Sequence, residues 1–376
     1  WDVWIVSSQG GDAIRVTNDF ARESSVRWTA GGAALSFSRS DDDGQIGITV
    51  PGGEPLTLVN WPGYYVDLSQ ASLAPDERTL LFTGTRSGNN DIWSVPVSGG
   101  EPTPFITGPL EERNPRYAPD GASVAFISNR TGSWDVWVMP TAGGEPRRLT
   151  DWPSSEGNQQ WSPDGAMIAF VSDREATAAD LWVVAAQGGT PRRLTRFNLP
   201  IASRPEWSPD GQQLYITVGT ETGARLYRVP LAGGRPQELR IRSTPGPASG
   251  GTLSPDGAWY AYSAIDGGFA HLEITPTSGG APRRLKPTAE PVWNTRPVWS
   301  RDGTKIATSD WRFDDDATED VIEFTVAAGT TRRLTSRPKA YDSPLAYTTD
   351  GRVLFASIGQ NARIVQVPVA RLLAPK

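Results

Sequence analysis

The residues best equipped for chemistry in this chain are one histidine, two runs of carboxylates and a set of arginine–aspartate pairs. His271 is the only histidine and there is no cysteine, so imidazole or thiolate metal centres have no ligands, and a Ser-His-Asp triad would rest on this one ring. In the repeat described below His271 falls where Asp91, Asp135 and Asp180 begin equivalent segments, and no G-x-S-x-G nucleophile elbow occurs. We read His271 as structural and the chain as non-enzymatic. Asp41-Asp42-Asp43-Gly44 and Asp314-Asp315-Asp316 offer the oxygen ligands that a hard cation such as calcium prefers. Their spacing is not that of an EF-hand loop, yet these six aspartates are the candidate metal ligands, and no other cofactor is expected. Arg130 and Arg174, beside Asp135 and Asp180, look like catalytic pairs, but the pattern recurs along the chain. It reads as a bracket across a recurring loop.

Other residues suit recognition. Trp61, Tyr64 and Tyr65 in NWPGYY, Trp152 in DWPSS, Phe197 in RFNLP, Trp293 in PVWNT and Trp311 in DWRFDDD break the repetition, and aromatic side chains bring large contact area at low entropy cost. We expect them to gather on one face as a binding patch, together with the two acidic runs. The arginine doublets 147–148, 192–193, 283–284 and 332–333 read as solvated rim, since charged outer strands discourage edge-to-edge aggregation.

The elements that position these residues are announced by WSPDG, at 161–165 and again at 207–211. Proline presets φ for a type I turn and glycine closes the bend with a left-handed residue, so the phrase joins two antiparallel strands. Looser copies place anchors at Trp28, Leu73, Tyr117, Trp161, Trp207, Leu253, Trp299 and Tyr347, 44 to 48 residues apart. That period is close to the roughly 40–45 residues of a four-stranded propeller blade. Within each period a second strand, a polar loop, a third strand, a Gly-Gly turn and a fourth strand follow in order. Helical periodicity is not sustained anywhere.

The expectation is therefore an all-β, single closed propeller over residues 1–376, with eight four-stranded blades, or seven with the ends packed outside. Third-strand candidates number nine against eight of the others, because residues 1–6 and 363–368 both fit. We expect the last blade to take residues 343–358 and to be completed by the N-terminal pair, residues 1–17.

The combination W-S-P-D-G, I-A-F-x-S-[DN]-R, D-[LIV]-W-V and G-G-x-P-R-R-L-T resembles the WD-like propeller repeat of TolB-like proteins. Propeller domains of prolyl oligopeptidase-type and tricorn-type peptidases share it. The resemblance implies an exported bacterial protein, periplasmic or at the cell surface, that works as a protein- or peptide-binding scaffold. One alternative is the substrate-gating propeller of a hydrolase whose catalytic domain lies elsewhere. Another is a carbohydrate-binding propeller, although a propeller lyase would, by the same resemblance, want several histidines around a metal. Composition agrees with a folded chain at 38% hydrophobic and 21% charged residues. A net charge of −6 disfavours nucleic acid and anionic membrane as partners, and no run approaches the roughly 18 apolar residues of a membrane helix.

Overall fold

The computed structural model describes residues 4–5, 14–15, 22–28, 34–48, 56–61 and 66–368, except 175–177, 198–199, 202, 221–222, 242–250, 267–268, 286–296, 313–317 and 337–339. The described elements are all strands, and they form the four-stranded blades of a β-propeller. Six blades are complete. We number them 1 to 6 over residues 66–106, 112–148, 156–193, 206–239, 252–284 and 298–333. Blade 3 is representative, running Glu156–Trp161, Met167–Ser172, Asp180–Ala185 and Arg192–Arg193 in antiparallel succession.

WSPDG does what its residues dictate. Gly165 takes φ 70°, and its N–H donates to the Ser162 carbonyl at 2.9 Å. Asp164 accepts from the Ser162 hydroxyl at 2.5 Å and from the Ala166 N–H at 3.0 Å, which satisfies the donors a tight bend would otherwise leave bare. The anchor tryptophans fill the seams and latch them. Trp161 donates Nε1–H to the Arg116 carbonyl of blade 2 at 3.0 Å, and Trp207 donates to the Gln160 carbonyl of blade 3 at 3.1 Å. Each inner strand is thereby tied to its predecessor. Apolar packing follows the same path, one cluster joining Ile127, Val136 and Val138 of blade 2 to Ile168, Phe170 and Trp182 of blade 3. Each such buried side chain contributes about 1.5–3 kcal/mol.

The ends depart from expectation. There are six complete blades, neither eight nor seven, because the first and last repeats do not form separate blades. In each, the second and third strands run on as one long strand, Ala34–Ile48 and Val353–Pro368. These two pair with each other from Leu354↔Ile48 to Pro368↔Ala34, so a ladder of backbone bonds takes the place of two loops. The N-terminal strands Trp4–Ile5 and Ile14–Arg15 pair only with each other among the described residues, and do not complete the last repeat. The strand Ala340–Tyr347 is instead followed, in hydrogen-bonded order, by Val353–Pro368, Ala34–Ile48 and Leu56–Asn60. Leu354 shares a core cluster with Leu58, Trp61 and Phe82, and Glu77 in the first turn of blade 1 accepts from Thr349 N–H at 2.9 Å and lies 2.8 Å from Arg301.

Candidate functional site

The first acidic run does not lie in the loop expected of it. Asp41, Asp42 and Asp43 lie inside the strand Ala34–Ile48, opposite Asn361, Gln360 and Gly359, a position within a ladder and not in a loop. Asp314, Asp315 and Asp316 lie outside the described residues, as do Tyr64, Tyr65 and Trp293. Trp311 is within the strand Lys305–Arg312 and not in a connection. Among the described residues no group of three or more His, Cys, Asp or Glu side chains is placed to hold a metal ion. His271 is buried in the third strand of blade 5, opposite Ala264, the register that Asp135 holds opposite Ser128 in blade 2.

Nor do the arginine–aspartate pairs meet as first read. Asp135 is bound by Arg148 at 2.7 Å, Asp180 by Arg193 and Asp320 by Arg333. The second arginine of each of these doublets thus closes on the buried carboxylate of its own third strand, and is not free rim. The first reaches across the seam in two cases: Arg147 donates to the Ala186 carbonyl at 2.6 Å and Arg192 to the Leu231 carbonyl at 2.7 Å. The loop arginine does other work. Arg130 pairs with Glu112 at 3.0 Å, while Arg174 lies 3.6 Å above the Trp152 ring and Arg86 5.2 Å above Trp61.

Carboxylates also meet at two seams. Glu156 opens blade 3 beside Asp135 of blade 2, with the Thr150 hydroxyl 3.2 Å from each. A hydroxyl has one proton to give, so one carboxyl of such a pair is best held protonated. Burial, with the Asp135 charge adding to it, pushes Glu156 up to about 7 against the opposing bonds from Ser154, Ser172 and Thr150. Glu112, opening blade 2, is likewise raised to about 7, first by burial and then by its bond with Asp91. Both joints are buried within the seams.

The open site is elsewhere, in a groove of about 920 Å³ between the end of blade 3 and the outer strands of blade 4. Phe197 and Tyr227 form its floor, their ring centroids 4.6 Å apart. Arg193, Arg196, Arg225 and Arg235 surround them, with Glu238 as the single acidic residue of the lining. Arg193 is held by Asp180, and Arg225 reaches Glu238 at 3.4 Å. Arg196 and Arg235 are exposed and have no ion-pair partner among the described residues. Of the aromatic candidates among the described residues, Phe197 lines this groove. Trp61 and Trp152 are buried under their arginines, not exposed as a binding patch.

Sequence reasoning missed Arg196 and Arg235, although the repeat signals them. In Gly-Gly-X-Pro, X is Glu54, Glu101, Glu145 and Thr190 before it becomes Arg235, and the residue before the aromatic is Asn60 and Asp151 before it becomes Arg196.

Residues 87–179 match the model of the tricorn protease N-terminal beta propeller domain. Over that span the chain carries the tricorn-type propeller repeat. Among solved structures, the chain aligns with a puromycin-hydrolyzing peptidase of Mycobacterium tuberculosis at 17% identity and TM-score 0.62, over 89% of this chain and 57% of that one. An oligogalacturonate lyase in complex with manganese aligns at 12% identity and TM-score 0.62, over 90% and 96% of the two chains. The beta-propeller domain of the Trilobed protease from Pyrococcus furiosus aligns at 12% and 0.58, over 83% and 100%. No curated protein matches the chain. At these identities the likeness is one of fold.

Proposed function

We propose that this chain is a non-enzymatic binding and scaffold module of an exported bacterial protein, working in the periplasm or at the cell surface, and that a protein or peptide docks in the groove between blades 3 and 4. The observation that carries the reading is the groove's departure from the repeat. Positions that recur from blade to blade answer to the architecture, whereas Arg196 and Arg235 depart from the repeat and have no ion-pair partner among the described residues, beside a half-buried Phe197 ring. Arginine and tyrosine, both present in the lining, are enriched among the residues that dominate interface energetics. We further propose that the sheet uniting residues 34–48 with 353–368 closes the ring, so that the scaffold is continuous.

The immobilised chain is expected to retain a partner from an envelope extract of its source bacterium. The double variant Arg196→Glu/Arg235→Glu should lose that partner while keeping its melting temperature, because both side chains are exposed. Equal retention by the two proteins would refute the reading.

A second reading, a gating propeller for a hydrolase, is favoured by the alignment, which covers only a little over half of the peptidase chain. It requires the full gene product to cleave peptide substrates, with the double variant changing their selection.

A further inference from the structure

We propose that the groove between blades 3 and 4 binds an extended acidic peptide segment, which adds as a strand along the outer edge of blade 4. The inference deepens the binding reading above and rests on it.

Charge gives the sign of the ligand. Four arginines against Glu238 leave the lining strongly positive, in a protein whose net charge is −6. Two of those arginines are already engaged, Arg193 by Asp180 and Arg225 by Glu238. Arg196 and Arg235 remain, exposed and without an ion-pair partner among the described residues. A guanidinium presents a planar fork that matches a carboxylate, so these two side chains are suited to acidic groups arriving from solvent.

The backbone gives the kind of chain. The fourth strand of blade 4, Gln237–Leu239, pairs on one side with Gly223–Pro230 and is last in its sheet. Gln237 and Glu238 are exposed and line the groove. A peptide laid along this edge gains main-chain hydrogen bonds that a polysaccharide does not offer in strand register. Its side chains alternate in direction, so acidic residues at every second position can meet Arg196 and Arg235 while the others rest against Phe197 and Tyr227. Nucleic acid matches the arginines, but a net charge of −6 disfavours a long polyanion more than a short acidic peptide.

Titration calorimetry on the whole chain tests this with four probes: a synthetic peptide alternating aspartate and valine, its asparagine–valine counterpart, an N-methylated form of the acidic peptide, and an oligomer of galacturonate. The acidic peptide should bind. The asparagine form should bind at least about tenfold more weakly, and each of Arg196→Glu and Arg235→Glu should weaken the acidic peptide about fivefold at an unchanged melting temperature. N-methylation, which removes the backbone donors, should abolish binding.

Failure of the acidic peptide to bind, or binding indifferent to both reversals, would overturn the inference. So would full binding of the N-methylated form, which leaves no strand addition, or a clear preference for the galacturonate oligomer. If groove-dependent retention of a partner from extract persists while the acidic peptide does not bind, the inference falls and the binding reading stands. If both fail, the binding reading falls with it.

Discussion

Two grooves of one construction meet different fates in this molecule. In the first, residues 57–61 face Gly100, Glu101 and Pro102 of blade 1 across about 620 Å³. In the second, residues 193–197 face Gly234, Arg235 and Pro236 of blade 4 across about 920 Å³. Trp61 in the first groove is buried, edge-on to Trp93 at 4.8 Å and covered by Arg86. The seam between blades 2 and 3 repeats this arrangement with Trp152, Trp182 and Arg174. In the second groove Phe197 is only half-buried and rests on Tyr227. The capping arginine comes from the loop between second and third strands. In blade 4 those strands pair as far as Thr220↔Gly223, leaving no loop long enough to carry one. A shortened hairpin thus uncovers an aromatic floor, and the difference teaches where architecture ends and recognition can begin.

The largest effect that separates the two grooves is on stability. Trp152→Ala empties a buried position packed against Phe170 and Trp182, and should cost about 3–5 kcal/mol in urea unfolding. Phe197→Ala removes a half-buried ring and should cost less than about 2 kcal/mol, while impairing partner binding more than Trp152→Ala does in protein that remains folded. Comparable losses of stability at the two sites would mean that Phe197 is a seam residue like Trp152.

Next in size is a pH effect confined to the seams flanking blade 2. Glu112 and Glu156 titrate near 7 in the fold against an ordinary 4.5, so between those values the folded chain holds more protons than the unfolded one. Stability must therefore fall as pH rises from about 4.5 to about 7 and level off above it. Glu156→Gln should flatten part of that slope in thermal melts, since a neutral amide cannot lose a proton. Neither glutamate lines the groove, so ligand binding there should not follow the same curve. A binding curve that tracked the melting curve would tie the groove to the seams.

Much of this was legible in the sequence. The anchors from Leu73 to Trp299 gave their blades because each turn is local: aspartate, with proline before it in all but WSRDG and glycine after it in all but LAPDE, satisfies the bend within five residues. The doublets Arg147-Arg148 and Arg192-Arg193 were not, since a charged residue on an outer strand reads as solvated until the fold sets Asp135 and Asp180 beside it. The merged ends were beyond local reasoning. Pairing Ala34–Ile48 with Val353–Pro368 depends on strands some 300 residues apart, and either register satisfies the turn chemistry. Phe197 was singled out with six other aromatics, but its distinction lay in its neighbours. A position-by-position reading across blades exposes Arg196 and Arg235, because a site on a repeat protein is visible as the place where the repeat's own residue has been replaced.

The smallest effect tests the cap itself. Arg174 lies over Trp152 on the solvent side, and a cation over an indole at such a position contributes about 0.5–1 kcal/mol. Arg174→Ala should lower stability by that amount in chemical denaturation, and Arg86→Ala should do the same over Trp61. Arg225→Ala in the open groove removes an exposed pair with Glu238 at 3.4 Å, and should leave the denaturation midpoint unchanged, since exposed ion pairs are screened by solvent. The ordering matters more than any one value. Arginines that cover an aromatic belong to the fold and must register in unfolding, whereas arginines around an uncovered one are free to register only when something is bound. If Arg225→Ala destabilised the chain as much as Arg174→Ala, the open groove would be a seam that the short hairpin of blade 4 happens to leave wide.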